Sequence, residues 1–159
     1  MIGAKGPNPR VYMNFANKKH NVVIRGPESK QYEFLAENEI FPFVELRAAA
    51  RDLRRVHNID RNLFIEDCRR RIRAQLLTLR DNGVRCVVLG AFGCGAFKNP
   101  PSVVARIYVE EISLMRADFD IIAFAIIMNP DNLAAFRNEF SLFQEPLLKL
   151  KDQVRLSRD

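Results

Sequence analysis

Three glycines recur within the segment GAFGCGAFKNPP, which spans residues 90–101. Gly90, Gly93 and Gly95 come after the apolar run RCVVL, and two prolines close the segment. Glycines at this spacing let main-chain N–H groups turn toward an anion without obstruction by a Cβ atom. Where such a loop joins a strand to a helix, the positive end of the helix dipole favours the same anion. The segment therefore predicts a phosphate cradle, and the alternative is a tight strand-to-helix turn without a ligand.

This loop matches neither the Walker loop nor the dinucleotide-binding fingerprint. It lacks the Gly-Lys-Ser/Thr ending of the first, and its glycine spacing differs from that of the second. The three cysteines, Cys68, Cys86 and Cys94, are an odd number at wide spacing, and the two histidines, His20 and His57, lie far apart. These residues predict no disulfide framework, metal site or cofactor. Cysteines that stay reduced are typical of a cytoplasmic protein.

Alternating strand and helix patterns surround the loop. Residues 85–90 and 119–127 are apolar on both faces, as is typical of central, adjacent strands in a parallel sheet. A helix that begins with proline is predicted between them, over residues 100–118. We therefore expect residues 91–99 to open at the carboxyl ends of the two strands, where sheets of this kind bind ligands.

A long amphipathic helix is predicted upstream, beginning at Asn58 or Asp60 and ending at Gly83. Its core face carries apolar residues at helical spacing, namely Phe64, Cys68, Ile72, Leu76 and Leu79. The arginines of CRRRIR are then expected to face water. The remaining predicted elements are a strand at 10–16, helices at 28–39 and 130–140, and a polar, partly helical tail at 142–159. We expect one domain over residues 1–159.

The chain has 159 residues and a formal net charge of +6, which favours anionic partners. No apolar run approaches the roughly 18 residues that a membrane helix needs. No nucleic-acid motif and no interleaving of basic and aromatic residues is present. We therefore expect neither a membrane nor a nucleic acid as partner, and a solvated basic surface is the alternative explanation of the charge.

The segment VVLGAFGCGAFKNPPSVVA resembles the signature of the microbial-type poly(ADP-ribose) glycohydrolases, a branch of the macrodomain superfamily. Their phosphate loop has an aromatic residue before Gly-Cys-Gly and is followed by a proline and a Val-Ala helix. NFAN at 14–17 is similar to their strand-end motif, and FAI at 124–126 to their last core strand. The resemblance covers roughly residues 10–140. It implies a macrodomain-like three-layer α/β sandwich, with a mixed, mostly parallel sheet and helices on both faces.

The resemblance also implies where ADP-ribose would bind. Its diphosphate would lie on the main chain of the loop, and one aromatic ring would pack against the sugar. One of two later residues would lie near the adenine, and one asparagine would face the distal ribose. The residues concerned are, in that order, Gly93, Cys94, Gly95 and Ala96, then Phe97, then Phe124 or Asn129, and finally Asn17.

Glu33 matches the catalytic glutamate of the family, because it follows Asn17 at the same distance. In the family this carboxyl protonates the leaving oxygen of the ribose–ribose bond and then activates water, which is acid–base chemistry suited to a sugar bond. Gln31 keeps the frame of the family's Gln-Glu-Glu segment, but Tyr32 replaces the first glutamate.

Two further departures from the family pattern concern the backbone and the chain length. Asn21, Val22 and Val23 stand where the family has three glycines, and β-branched valines would crowd a diphosphate. Only about a dozen residues precede NFAN. The chain is thus a reduced version of the fold or part of a larger protein. A sheet with an uncovered edge favours pairing with another chain, so homo-oligomerisation stays open.

Three functions are compatible with these residues. The first is a hydrolase that removes ADP-ribose, with ADP-ribose or an ADP-ribosylated protein as its ligand. The second is a binding module for ADP-ribose or another nucleotide that has lost catalysis. The third is an interaction protein with a basic surface and a relic loop. Gly93–Gly95 and Glu33 favour the first two, whereas the valines and Tyr32 favour the last two. We expect ADP-ribose binding and leave turnover open.

Overall fold

The computed structural model describes residues 2–4, 11–14, 21–23, 25–126 and 129–142. Its strands are β1 Ile2–Ala4, β2 Val11–Asn14, β3 Asn21–Val23, β4 Phe41–Phe43, β5 Glu45–Ala48, β6 Cys86–Leu89 and β7 Ile121–Phe124. Its α-helices are α1 Arg61–Asp81, α2 Pro101–Leu114 and α3, residues 130–142. Short 3-10 turns cover Glu28–Lys30, Glu37–Glu39 and Arg116–Asp118.

The described strands form three hydrogen-bonded groups. β1, β2 and β5 make an antiparallel sheet in that order, β3 pairs antiparallel with β4, and β6 pairs parallel with β7. Among the described pairings only β6–β7 is parallel, and this parallel pair leads directly into the glycine loop. The predicted strand at 10–16 is present as β2. Of the predicted tail at 142–159, only its first residue is among the described ones.

β6 and β7 are adjacent and parallel, as predicted, with Cys86 opposite Ile121 and Leu89 opposite Phe124. The expectation that both faces are buried is wrong for the described residues. Val88 is 70% exposed and Ile121 59% exposed, whereas Leu89 is buried. Among the described residues, apolar side chains of α1, α2 and α3 form one core cluster that includes Leu89.

Helix α1 begins where one of the two candidate caps stands. The Asp60 carboxylate accepts hydrogen bonds from the N–H groups of Asn62 at 2.8 Å and Leu63 at 3.1 Å, which satisfies two free donors of the first turn. Gly83, with φ +72°, follows the last turn as predicted. The predicted core face is confirmed, since all five of its apolar residues are buried: Phe64, Cys68, Ile72, Leu76 and Leu79.

The arginines of α1 do not simply face water. Glu111 on α2 is fully buried, and its carboxylate accepts hydrogen bonds from Arg73 Nε at 2.6 Å and Arg69 Nη1 at 3.1 Å. A buried carboxylate needs such partners, because an unpaired charge in the interior costs several kcal/mol. The two arginines therefore fix α1 against α2, and α2 in turn carries the glycine loop at its amino end.

The prediction of a helix at residues 28–39 is wrong. The segment makes two 3-10 turns, and an isolated antiparallel bridge between Arg25 and Phe34 closes around the first of them. Gln31 and Tyr32 both have φ 54°, which ends the first turn. No residue of either turn is buried. A helix here would bury no apolar face, and a short helix is not stable without such tertiary contacts.

Candidate functional site

The glycine loop, residues 91–99, connects the carboxyl end of β6 to the amino end of α2. The Leu89 carbonyl accepts a hydrogen bond from the N–H of Ala125, which holds the loop's first residues beside the end of β7. α2 begins at Pro101 without a side-chain cap. The positive end of a 14-residue helix is therefore directed at the same end of the strands as the loop.

Asn99 holds the loop in its conformation. Its side chain is 3% exposed, and its amide nitrogen donates to the carbonyls of Arg51 at 2.7 Å, Gly93 at 3.1 Å and Phe97 at 3.2 Å. The Phe97 carbonyl also accepts from the N–H of Leu53 at 3.0 Å. Sequence reasoning missed Asn99. Its only signal was a polar residue set directly before Pro-Pro at a helix start, and that signal does not reveal a partner 48 residues away.

The glycines of the loop have different reasons to be glycine. Gly93 has φ +75°, and a Cβ placed there would lie 2.5 Å from the Ala50 Cβ and 2.8 Å from the Asn99 amide nitrogen. The fold itself thus excludes a side chain at Gly93. At Gly95 a Cβ would meet nothing within 4 Å. The fold does not require glycine at this position, so the space beside Gly95 is open to a ligand.

Three successive N–H groups of the loop, those of Gly95, Ala96 and Phe97, have no hydrogen-bond acceptor among the described residues. The neighbouring N–H groups are used internally, since Cys94 donates to the Ala91 carbonyl and Lys98 to that of Gly95. Gly95 and Ala96 are exposed and Phe97 is partly buried. Successive free N–H groups of this kind are suited to binding the oxygens of an anion.

Cys94 does not supply a nucleophile. It is 7% exposed, and burial raises the pKa of its thiol to about 12, with the nearby Cys68 adding to the effect. The Sγ atom lies 3.6 Å from the Phe92 carbonyl. The side chain fills the core beneath the loop, and a neutral thiol at this pKa leaves only the main chain of Cys94 for ligand binding.

A cavity of about 930 Å³ lies along β6, with β5 as its other wall and α1 at its base. It contacts the start of the loop through Gly90, Ala91 and Phe92, but none of the predicted ligand-binding residues lines it. Gln75, 3% exposed, contributes a side-chain amide nitrogen with no hydrogen-bond partner among the described residues. The cavity is therefore a neighbour of the candidate site rather than the site itself.

Glu33 and Gln31 lie in the turn segment 25–40, at its first 3-10 turn. The Glu33 carboxylate is 3.7 Å from Lys30 Nζ, and both side chains are more than half exposed. The hydrogen bonds and ion pairs recorded for residues 25–40 within the described part of the chain all stay inside that segment. No hydrogen bond or ion pair joins Glu33 to the loop among the described residues, and its catalytic role stays a prediction.

The other predicted site residues have structural roles or lie elsewhere. The Phe124 ring packs against three aromatic rings of the core, at centroid distances of 5.1–5.2 Å from Tyr108, Phe136 and Phe140. Asn129 caps α3, because its Oδ1 accepts from the N–H of Asn132 at 3.0 Å. Asn17 lies outside the described residues. A ligand contact by any of the three stays a prediction.

No group of three or more histidine, cysteine, aspartate or glutamate residues in the described ranges is arranged to hold a metal ion. Within the same ranges, no helix is both long and apolar enough to cross a membrane.

No protein-family model and no curated protein sequence matches the chain, but solved structures do. A variant of the poly(ADP-ribose) glycohydrolase of Deinococcus radiodurans, in complex with ADP-ribose, superimposes with a TM-score of 0.71 at 23% identity, over 84% of this chain and 53% of that one. The enzyme of Thermomonospora curvata bound to the inhibitor ADP-HPD gives a TM-score of 0.67 at 22% identity, over 81% and 48%.

This chain spans about half the length of those structures. The superpositions nevertheless cover most of this chain. The D. radiodurans enzyme without ligand also superimposes over 84% of this chain, with a TM-score of 0.68. Superpositions of this quality show a shared fold, at 22–23% sequence identity. The chain therefore has the macrodomain-like α/β fold of the bacterial poly(ADP-ribose) glycohydrolases, which the resemblance of its glycine loop predicted.

Proposed function

We propose that this protein binds ADP-ribose through the glycine loop, with the diphosphate on the N–H groups of Gly95, Ala96 and Phe97. The observation that carries the proposal is the combination at this point of free N–H groups and open space. An anion there would also face the uncapped start of α2. Structures with the same fold contain ADP-ribose, which identifies the ligand to test first.

The proposed physiological ligand is ADP-ribose, either free or attached to a protein, since the loop would contact only the ADP-ribosyl part. The three cysteines are free, with Cys86 exposed, and this suits a reducing compartment such as the cytoplasm. The same proposal includes a single domain over residues 1–159. Homo-oligomerisation can be measured on the same samples by light scattering.

We propose further that the protein hydrolyses an ADP-ribosyl bond, with Glu33 as the general acid/base. Binding without turnover is the second candidate. It is favoured by the position of Glu33, which is exposed, pairs with Lys30 and has no recorded contact with the loop among the described residues. An acid/base group must come within hydrogen-bond reach of the bond that it cleaves, although such contacts often tighten only when substrate binds.

The test of binding is calorimetric titration of ADP-ribose into the parent protein and into Gly95→Val. The valine side chain would occupy the open space beside the free N–H groups, so we expect affinity at least about tenfold lower, or about 1.4 kcal/mol. The fold should survive, because the added Cβ meets nothing within 4 Å. Gly83→Ala is the control, since Gly83 comes before the amino end of β6, whereas the loop follows the carboxyl end of that strand.

Thermal unfolding of each variant separates a lost site from a lost fold. Gly83→Ala should lower stability, because Gly83 has a positive φ, and yet keep the parent affinity. If a folded Gly95→Val protein binds ADP-ribose with unchanged affinity, the glycine loop is not the phosphate-binding site. If the parent protein does not bind ADP-ribose, the proposed function is refuted.

A further inference from the structure

The cavity along β6 opens onto one edge of that strand. Cys86, Val87, Val88 and Leu89 all line it. Successive residues of a strand point to opposite faces of the sheet, so a cavity on a single face would not be lined by all four. Only the edge of the strand is common to them. None of the described β7 residues lines the cavity, whereas residues of β5 do. The edge concerned is therefore the one away from β7.

The main-chain groups at this edge pair with no strand in the described part of the chain. On the opposite edge of β6, the Leu89 carbonyl accepts a hydrogen bond of 2.8 Å from the N–H of Ala125, at the end of β7. The hydrogen-bonding groups of alternate residues point to opposite edges of a strand in a parallel pair. Those of Cys86 and Val88 are thus directed into the cavity. An unpaired edge of this kind is a template for a further strand.

β5 forms the opposite wall of the cavity through Glu45, Leu46 and Ala48. Among the described strands it pairs with β2 alone, so it is the end strand of its sheet. The cavity volume of about 930 Å³, spread along the roughly 13 Å of a four-residue strand, gives a cross-section of about 70 Å². Strand and sheet spacings give an extended chain a cross-section of about 48 Å². An extended chain therefore fits this space, which we call the strand slot.

A buried side-chain amide in the strand slot also lacks a partner. Gln75 is 3% exposed, and its Oε1 accepts a hydrogen bond of 3.1 Å from the Tyr108 hydroxyl. This leaves its Nε2 with no acceptor among the described residues. A buried donor without an acceptor costs about 1–3 kcal/mol. A carbonyl group placed in the slot would remove that cost.

The lining of the strand slot favours an uncharged occupant. The described lining residues include no lysine or arginine. The carboxylate of Glu45, which is among them, already lies 2.9 Å from a guanidinium nitrogen of Arg47. Most of the other lining side chains are apolar, for example Phe43, Leu79 and Val84. An extended peptide with apolar side chains supplies both the apolar surface and the amide groups that such a lining can bind.

We propose that the strand slot binds an extended, uncharged peptide segment of a partner protein, which adds a strand to the free edge of β6. The main chain of the peptide pairs with Cys86 and Val88, and one of its carbonyls accepts from Gln75 Nε2. This site is separate from the proposed ADP-ribose site, because none of the residues assigned to the diphosphate lines the slot. The two proposals can therefore fail independently.

Hydrogen exchange measured by NMR on the protein alone tests the free edge. The amide protons of Cys86 and Val88 should exchange at least about tenfold faster than those of Val87 and Leu89, which face β7. Added peptide should slow the exchange of the first two. If Cys86 and Val88 are already protected without peptide, another part of the chain or a second copy occupies the slot, and the proposal is overturned.

The binding probe is a short fluorescent peptide of alternating threonine and valine with blocked ends, followed by fluorescence anisotropy. Two further peptides carry N-methyl groups on either the odd or the even residues and keep the same side chains. A strand pairs along one edge through alternate residues, so at least one methylated peptide should bind at least about tenfold more weakly. Equal affinity of all three peptides, or no binding of the unmethylated one at about 1 mM, would refute strand addition.

Cys86 reports whether the peptide lies in the slot, since it is exposed and lines it. Saturating peptide should slow its reaction with iodoacetamide at least about fivefold. The control is Leu114→Cys in a Cys86→Ser background, at a position that is 73% exposed at the end of α2. Its rate should not change.

Gln75→Leu should weaken peptide binding by about threefold to tenfold, because it removes the free donor, and thermal unfolding checks that this variant is folded. A folded Gln75→Leu protein with parent affinity would contradict the assigned hydrogen bond. Unchanged labelling of Cys86 with peptide bound would place the peptide elsewhere and refute the slot.

Discussion

The side-chain amide of Asn99 donates a hydrogen bond of 2.7 Å to the main-chain carbonyl of Arg51, 48 residues earlier in the chain. This contact joins the glycine loop to the segment that follows β5. The same amide also holds the carbonyls of Gly93 and Phe97. The shape of the candidate site thus depends on one buried polar side chain that faces three acceptors.

Replacing Asn99 with alanine should lower the free energy of unfolding by about 2–3 kcal/mol, because three carbonyls lose a donor in a buried position. Asn99→Asp should be at least as harmful, since a carboxylate of the same shape presents an acceptor to three acceptors. Urea unfolding measures both. Asn38→Ala, at an exposed position in the 3-10 turn Glu37–Glu39, serves as control and should stay within about 0.5 kcal/mol of the parent. Parent-like stability of Asn99→Ala would contradict this role.

Gly93→Ala should destabilise the protein by about 2–4 kcal/mol, because it adds a Cβ at a positive φ and into contact with Ala50. Gly95→Ala should cost less than about 0.5 kcal/mol, since its Cβ faces open space. Chemical unfolding of the two variants under the same conditions makes the comparison. The prediction fails if the two alanines have equal effects. Ala50→Gly in the Gly93→Ala background should recover part of the lost stability, because it removes one of the clashing atoms.

The three thiols should differ in their reactivity with iodoacetamide. Burial raises the pKa of Cys94 to about 12 and that of Cys68 to about 11, so at pH 8 both are almost entirely in the unreactive thiol form. Cys86 is exposed. Mass spectrometry of the native protein at pH 8 should therefore find one rapid adduct, whereas the protein in denaturant should take up three. Cys86→Ser should abolish the rapid adduct. Rapid labelling of native Cys94 would show that the loop opens.

If the protein releases ADP-ribose from a substrate, Glu33→Gln should lower turnover at least about 100-fold, the lower end of the effect of a general acid–base group. Its affinity for ADP-ribose should change by less than about twofold. We expect little or no activity on poly(ADP-ribose) itself, because Val22 and Val23 replace flexible glycines. A smaller ADP-ribosyl compound is the better substrate for the assay.

The control for Glu33→Gln is Glu37→Gln, an exposed carboxylate in the same turn segment. It should leave any turnover unchanged. Turnover that persists in Glu33→Gln would show that the acid was misassigned. Efficient hydrolysis of the polymer by the parent protein would show that the valines do not obstruct the groove.

Local sequence signals determined much of the scaffold around the site. The periodic apolar residues, Asp60 and Gly83 predicted α1 with its correct cap and core face, because capping and amphipathic packing depend on residues within a few turns of each other. The strand–loop–helix–strand pattern predicted the parallel pairing of β6 and β7. The glycine loop itself carried the resemblance that predicted the fold.

Long-range packing decided the rest. The segment 28–39 had helical composition but found no surface on which to bury a face, and it makes turns instead. Val88 and Ile121 had the same apolar pattern as buried residues, yet no described element covers them. Whether an apolar strand face is covered depends on what the rest of the chain places over it, which periodicity does not encode.

In the candidate site, too, some features follow from local sequence and others from long-range packing. The order of residues in the loop by itself predicted that main-chain N–H groups would face an anion, because glycine conformation is a local property. Only the tertiary structure brought Arg51 and its neighbours to the loop. These relationships join positions tens of residues apart, and they depend on how β5, β6 and the turn segment pack, so no spacing along the chain predicts them.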